Sequence, residues 1–235
     1  MTSGHACRVV SGGCNMPVLE AIDVYRFYHT GDEETLALRG VSVQVAAGEI
    51  VVVMGPSGSG KSTLMACLAG LDEPDGGYVT LQGNRLTRRP EAERAAIRAA
   101  EIGILLQTGN LFEQLSVIDN VRLQMRLAQK VDEQRVRLLI EQVGLSERRF
   151  AYPSQLSGGE AARAGLAVAL STNPRVLLAD EPTGEVDAET EQHILRLLTA
   201  RRDAGEATLI VTHSDALAAF ADRIIHLSDG RVVNA

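Results

Sequence analysis

Residues 55–62, Gly55-Pro56-Ser57-Gly58-Ser59-Gly60-Lys61-Ser62, constrain this chain more than any other segment. They fit the pattern G-x-x-x-x-G-K-[ST], the P-loop. The apolar run Ile50-Val51-Val52-Val53-Met54 precedes them, and residues 62–69 read as a helix. A strand–loop–helix setting is the context that gives the motif its chemistry. The glycines let consecutive backbone N–H groups turn inward around phosphate oxygens, and the helix N-terminus adds partial positive charge. Gly55, Pro56, Ser57, Gly58, Ser59, Gly60, Lys61, Ser62 and Thr63 are therefore candidate phosphate-binding residues. Lys61 supplies a point charge that reaches the β- and γ-phosphates, and Ser62 a hydroxyl for Mg2+. The bland alternative, a glycine-rich turn with an incidental lysine, leaves the flanking strand and helix unexplained. The segment implies a nucleoside-triphosphate site.

The rest of the composition agrees with one α/β domain. The chain has 235 residues, 45% of them apolar, enough for a sizeable core without covalent staples. Its formal net charge of −7 and lack of tryptophan argue against a broad nucleic-acid-binding surface. Three cysteines, at positions 7, 14 and 67, have neither disulfide-framework nor zinc spacing, which fits a reduced cytosolic protein. No stretch approaches the roughly 20 apolar residues needed to span a bilayer. Residues 1–16 read as a disordered leader without the apolar run of a secretory signal.

Strand patterns are expected at residues 18–28 and 38–45, separated by a polar turn at 29–34. A short strand at 78–81 ends at Gly83-Asn84. From residue 90 to about 143 the pattern is helical, at 91–100, 117–129 and 132–143, with a single strand-like run at 102–106. Strand signals return at 176–179, 208–212 and 223–227, with helices at 188–200 and 216–220 between them and a terminal hairpin through 231–233. The alternation predicts an α/β nucleotide-binding core over 17–235, with a helical subdomain at about 90–165 inserted into it.

Two further segments carry chemistry. Arg175-Val176-Leu177-Leu178-Ala179-Asp180-Glu181 is an apolar strand ending in two acids. Opposite a P-loop, Asp180 suits a Mg2+ ligand and Glu181 a general base that polarises the attacking water. Leu156-Ser157-Gly158-Gly159-Glu160 opens a helix running to about residue 170, with Ser157 as its N-cap and paired glycines leaving N–H groups exposed.

Taken together, these motifs resemble the ATP-binding subunit of an ATP-binding cassette (ABC) transporter over residues 18–233: a P-loop NTPase core with an antiparallel β-subdomain and a helical insertion. Ser157, Gly158 and Gly159 lie in the segment similar to that family's signature. Gln107 matches its Q-loop glutamine, Glu185-Val186-Asp187 its D-loop and His213 its switch histidine. Tyr28, three residues before Gly31, matches the aromatic that stacks on adenine. The resemblance implies catalytic roles for Glu181, His213 and Gln107, and Mg2+ held by Ser62, Gln107 and Asp180. It also implies ATP as substrate and a head-to-tail pair with a second copy of this chain or a similar ATPase subunit, with each ATP between one P-loop and the other subunit's signature helix. The partners it implies are integral membrane permease subunits, with the chain peripheral on the cytoplasmic face of the cell membrane and no nucleic acid expected.

Within the family, Tyr28-His29-Thr30-Gly31, Ala37-Leu38-Arg39-Gly40-Val41-Ser42, Gly70-Leu71-Asp72 and Ala179-Asp180-Glu181-Pro182-Thr183-Gly184 are similar to the lipoprotein-release and macrolide-export type. That type implies ATP-driven conformational change in a membrane partner for export, lipoprotein release or mechanotransmission. Ala161 and Ala162 depart from the arginine and glutamine frequent after the signature, and Val168 from a frequent arginine. Val186 replaces a frequent leucine, and Ser214 an acid. None of these removes a phosphate ligand. A soluble cassette ATPase of DNA repair or translation is the competing reading, but such proteins usually carry a long coiled-coil insertion, zinc motifs or a second cassette. A regulator that has lost catalysis is opposed by the presence of Glu181 and His213.

Overall fold

The computed structural model describes residues 17–30, 33–184 and 186–234. The expected leader, Gly31 and Glu185 lie outside the described residues. In chain order the strands are β1 (Pro17–Thr30), β2 (Glu33–Ala46), β3 (Ile50–Met54), β4 (Gly76–Leu81), β5 (Asn84–Arg85), β6 (Ile102–Leu105), β7 (Val176–Asp180), β8 (Ala207–Val211), β9 (Arg223–Ser228) and β10 (Arg231–Asn234). The helices are α1 (Lys61–Leu68), α2 (Glu91–Glu101), α3 (Val117–Leu127), α4 (Glu133–Gln142), α5 (Gly158–Leu170), α6 (Ala188–Asp203) and α7 (Asp215–Phe220).

Hydrophobic patterning sorts these strands into two sheets. In β2, Val41, Val43 and Val45 are buried while Ser42 and Gln44 are exposed, as suits a sheet with one face on a core. It pairs antiparallel with β1, and the sheet continues through β4 to β5 in the order β2-β1-β4-β5. The second sheet has the order β10-β9-β3-β8-β7-β6, parallel from β9 to β6 and closed at one edge by antiparallel β10. Its central strands are apolar at successive positions because both faces are covered. Val51 and Val53 of β3 point into the core shared with the antiparallel sheet and α1, whereas Ile50 and Val52 point into the core under α3 to α6. Leu177 and Leu178 of β7 divide the same way. Full burial of each such side chain contributes about 1.5–3 kcal/mol, so β3 and β7 are rigid supports for the loops at their ends.

The helices differ at their starts. Ser116, Asp132, Ser157, Asp187 and Ser214 each cap a helix by accepting a backbone N–H with the side chain. Helix α1 instead begins at Gly60, which has no side chain to occupy its first amides.

Several boundaries differ from the sequence expectation. The β1–β2 strands extend to Thr30 and from Glu33, which narrows the polar turn. Residues 84–85 do not end the β4 segment but return as β5, because Gln82 (φ 50°) and Gly83 (φ 74°) both take positive φ and make a tight hairpin. Ile102–Leu105, the strand-like run inside the helical stretch, is an edge strand of the parallel sheet beside β7. The uninterrupted run of helices between core strands therefore begins after residue 105. Among the described residues, no helix is long and apolar enough to cross a membrane.

Candidate active site

The loop after β3 meets the ends of β7 and β8 because the three strands are neighbours and run parallel in register. The result is a cleft of about 770 Å³ lined by Ser57, Gly58, Gly60, Lys61, Ser62, Thr63, Gln107, Asp180, Glu181 and His213, with Tyr28 at its wall. The loop turns into α1 at Gly60 (φ 101°), where a Cβ would stand 2.5 Å from the Ala37 carbonyl oxygen. Only glycine fits there.

Lys61 is almost buried, and its Nζ donates to the carbonyl oxygens of Gly55 (2.8 Å) and Pro56 (2.9 Å). Burial pushes its pKa down, and the charges of Glu181 and Asp180 act against that. With two of three N–H groups on the loop's own carbonyls, one donor remains for an anion. Ser59 behaves differently from its neighbours. Its hydroxyl is buried without a hydrogen-bond partner, and its N–H donates to the Pro56 oxygen (3.2 Å), so its side chain contributes nothing to the cleft.

Asp180 is the last residue of β7, and its carboxyl is held above the ordinary aspartate range. Burial is the main cause and the Glu181 charge the second, with Lys61 and His213 pulling the other way. Glu181 follows in the left-handed region (φ 47°), a conformation that costs a non-glycine residue about 1–3 kcal/mol. Its backbone N–H donates to Val211 in β8, which fixes the turn. One carboxylate oxygen accepts from Thr212 Oγ1 (2.7 Å) and the other from the His213 N–H (2.9 Å). The His213 ring is 59% exposed with Nε2 at 4.0 Å from Glu181 Oε1, so it is not a core histidine.

Gln107 reaches the cleft from the end of β6. Asn110 pins this turn by accepting from the Leu106 N–H (2.8 Å) and donating to the Leu106 carbonyl (2.6 Å). Among the described residues no group of three or more His, Cys, Asp or Glu forms a metal site. Ser62, Asp180 and Gln107, which all line the cleft, carry hard oxygen donors of the kind Mg2+ takes when phosphates and water complete its shell.

The signature residues are placed elsewhere. Ser157 Oγ accepts from the Glu160 N–H (3.2 Å) while the Glu160 carboxylate accepts from the Ser157 N–H (2.8 Å), a capping box that starts α5. Gly158 lines a second, 300 Å³ cleft with Gln107, Glu181 and Val186. Ser157 and Gly159 line neither cleft. Asp187 is occupied as the cap of α6, accepting from the Thr190 N–H and Oγ1, both at 2.9 Å.

Residues 38–184, more than half of the chain, match the family described as ABC transporter. The chain belongs to the ABC transporter family. This ABC protein is an ATPase of that family, and the expected fold is the one its relatives have. It is 42% identical over 218 residues to the lipoprotein-releasing system ATP-binding protein LolD of Acinetobacter baylyi, covering 91% of this chain and 96% of LolD. It is 41% identical over 220 residues to the macrolide export ATP-binding/permease protein MacB of Chlorobium luteolum, covering 93% of this chain but 33% of MacB. Among solved structures, the dimeric ATP-binding cassette MJ0796 in a post-hydrolysis state bound to ADP and Pi superposes with a TM-score of 0.87. That match is 33% identical and covers 92% of this chain and 97% of MJ0796.

Sequence reasoning missed Thr212, Asn110 and the β2 residues Thr35 to Ala37 and Arg39 of the cleft wall. The separation of Thr212 from Glu181 and of β2 from the P-loop along the chain leaves no local signal for them. Asn110 had one, an amide side chain three residues after the Q-loop glutamine.

Proposed function

We propose that this ABC ATPase works as a head-to-tail pair that binds two ATP at shared sites and drives conformational change in a membrane-embedded partner from its cytoplasmic face. One observation carries the reading: Lys61, Ser62, Gln107, Asp180, Glu181 and His213, from four separate segments of sequence, line one cleft. Lys61 and the amides at the start of α1 bind the β- and γ-phosphates. Ser62, Asp180 and Gln107 hold Mg2+, which when bound neutralises charge on the phosphate oxygens. Glu181 takes a proton from the attacking water, which adds to the γ-phosphorus as the bond to the β–γ bridging oxygen breaks, giving ADP and phosphate. Thr212 and the His213 amide keep the Glu181 carboxylate aimed, and the His213 ring, beside Glu181, contacts the γ-phosphate.

Ser157 and Gly159 lie outside their own chain's cleft, which supports a role toward the ATP of a second copy. ATP bridging two subunits, and ADP failing to, turns hydrolysis into a shift between closed and open pairs. The names of LolD and MacB support export or lipoprotein release as the process served. The test is mass spectrometry of proteins that co-purify from detergent-solubilised membranes with tagged Glu181→Gln plus ATP. A multi-span protein with a large external domain is the expected companion. Recovery of soluble proteins or nucleic acid alone would favour a soluble cassette ATPase.

A further inference from the structure

Tyr28 stands at the cleft wall on a support made by two residues that do not line the cleft. The guanidinium carbon of Arg26 lies 4.7 Å from the Tyr28 ring centroid, over one face of the ring. Asp72 Oδ2 accepts from both the Tyr28 hydroxyl (2.8 Å) and Arg26 Nε (2.8 Å). Arg26 is anchored further by Nη1 to Asp75 Oδ2 at 3.1 Å, an oxygen that also accepts from the Phe27 N–H at 2.8 Å. The ring is thus covered on one face, tethered at its hydroxyl, and exposed toward the cleft.

We propose that Arg26 and Asp72 are positioning residues that hold Tyr28 as a preformed stacking platform for the nucleobase. The inference rests on the reading of the cleft as an ATP site and concerns what sets the base-dependent part of affinity there. A tyrosine free to rotate loses torsional freedom when a base stacks on it; a tyrosine already fixed does not, and the difference appears as affinity. The cation over the far face adds attraction to the ring and keeps that face closed. Asp72 is able to play its part at neutral pH. Burial alone would raise its pKa, but the hydrogen bonds from Arg26 and Tyr28 outweigh burial and hold the carboxyl below the ordinary aspartate range. Tyr25 and Phe27, the neighbouring aromatics, do not line the cleft, so the support acts on one aromatic.

Calorimetric titration of the full-length protein with ATP and with inorganic tripolyphosphate separates the base from the phosphates. Tyr28→Ala, Arg26→Ala and Asp72→Asn should each weaken ATP about tenfold and leave tripolyphosphate unchanged. The Arg26→Ala/Tyr28→Ala double variant should be no weaker than Tyr28→Ala alone, because the support has nothing left to support. Arg26→Lys, which keeps the cation without the planar fork, should recover part of the ATP affinity. Asp72→Asn keeps the shape of the cluster and serves where Arg26→Ala melts below the titration temperature. Loss from Tyr28→Ala but not from Arg26→Ala or Asp72→Asn overturns the positioning role while leaving the platform intact. Equal loss of ATP and tripolyphosphate in Arg26→Ala and Asp72→Asn assigns them a structural role and overturns it too. No loss of ATP affinity in Tyr28→Ala overturns the platform itself.

Discussion

Thr212 Oγ1 donates a 2.7 Å hydrogen bond to Glu181 Oε2, joining the residue after β8 to the residue after β7. The Thr212 side chain is fully buried and the Glu181 backbone is in the left-handed region. A strained residue therefore has its carboxylate fixed by a donor on the neighbouring strand. Thr212→Val keeps the shape and removes the donor. A hydrogen bond to a charged group contributes about 1.5–3 kcal/mol, so kcat should fall about ten- to a hundredfold. KM for ATP should stay near wild type, as steady-state assays would show, and Thr212→Val should have no further effect in a Glu181→Gln background.

Asp180 illustrates a site residue that opposes stability. Its folded-state pKa lies above the ordinary aspartate range, from burial first and the Glu181 charge second. The unfolded chain therefore releases this proton at lower pH than the folded one, and stability is lost as pH rises from the ordinary range through the folded value. The nucleotide-free Asp180→Asn variant should melt above wild type at neutral pH, by about 2–4 °C per kcal/mol relieved. The gap should close as the pH is lowered into the acidic range, where both folded and unfolded Asp180 are protonated. Thermal melts of the two proteins across pH check the sign. A wild type more stable than the variant at neutral pH would contradict it.

Asn110 holds the Leu106 backbone from both sides, next to Gln107. Gly165 of α5 packs against it so closely that a Cβ there would stand 2.9 Å from the Asn110 Cβ. Asn110→Ala should raise the Mg2+ concentration for half-maximal hydrolysis and lower kcat about tenfold, the loss of one to two hydrogen bonds. Gly165→Ala should do the same by displacing Asn110. Magnesium titrations of the ATPase rate measure both, and unchanged magnesium dependence would separate Asn110 from Gln107.

The parts of this site that were legible in the sequence are those built from consecutive residues. Ser57, Gly58, Gly60, Lys61 and Ser62 line the cleft together because they are near neighbours in the chain, and an apolar β7 that ends at Asp180, with Glu181 next, declares its own burial. Ser157 as a helix cap was legible for the same reason, since the capping box spans four residues. Contacts between distant segments were not. The Thr212 donor and the Arg26–Asp72 pair exist only once β8 lies beside β7 and residue 72 folds back on β1. The motif says nothing of the Ser59 hydroxyl, which the structure buries without a hydrogen-bond partner. A two-residue strand such as β5 has no period to read, and its turn depends on Gln82 adopting a φ that its residue type does not announce.

In the proposed cycle ATP joins two copies of this chain and hydrolysis at Glu181 releases them. Light scattering coupled to size exclusion on Glu181→Gln, with and without ATP and Mg2+, is the decisive measurement. Glutamine keeps the shape of Glu181 but cannot take the proton, so hydrolysis should fall by about 10²–10⁴-fold while ATP stays bound. The expected mass is that of one chain without nucleotide, of two with ATP, and of one again with ADP. A variant that binds ATP yet stays at the mass of one chain, or that still hydrolyses at the wild-type rate, would contradict this cycle.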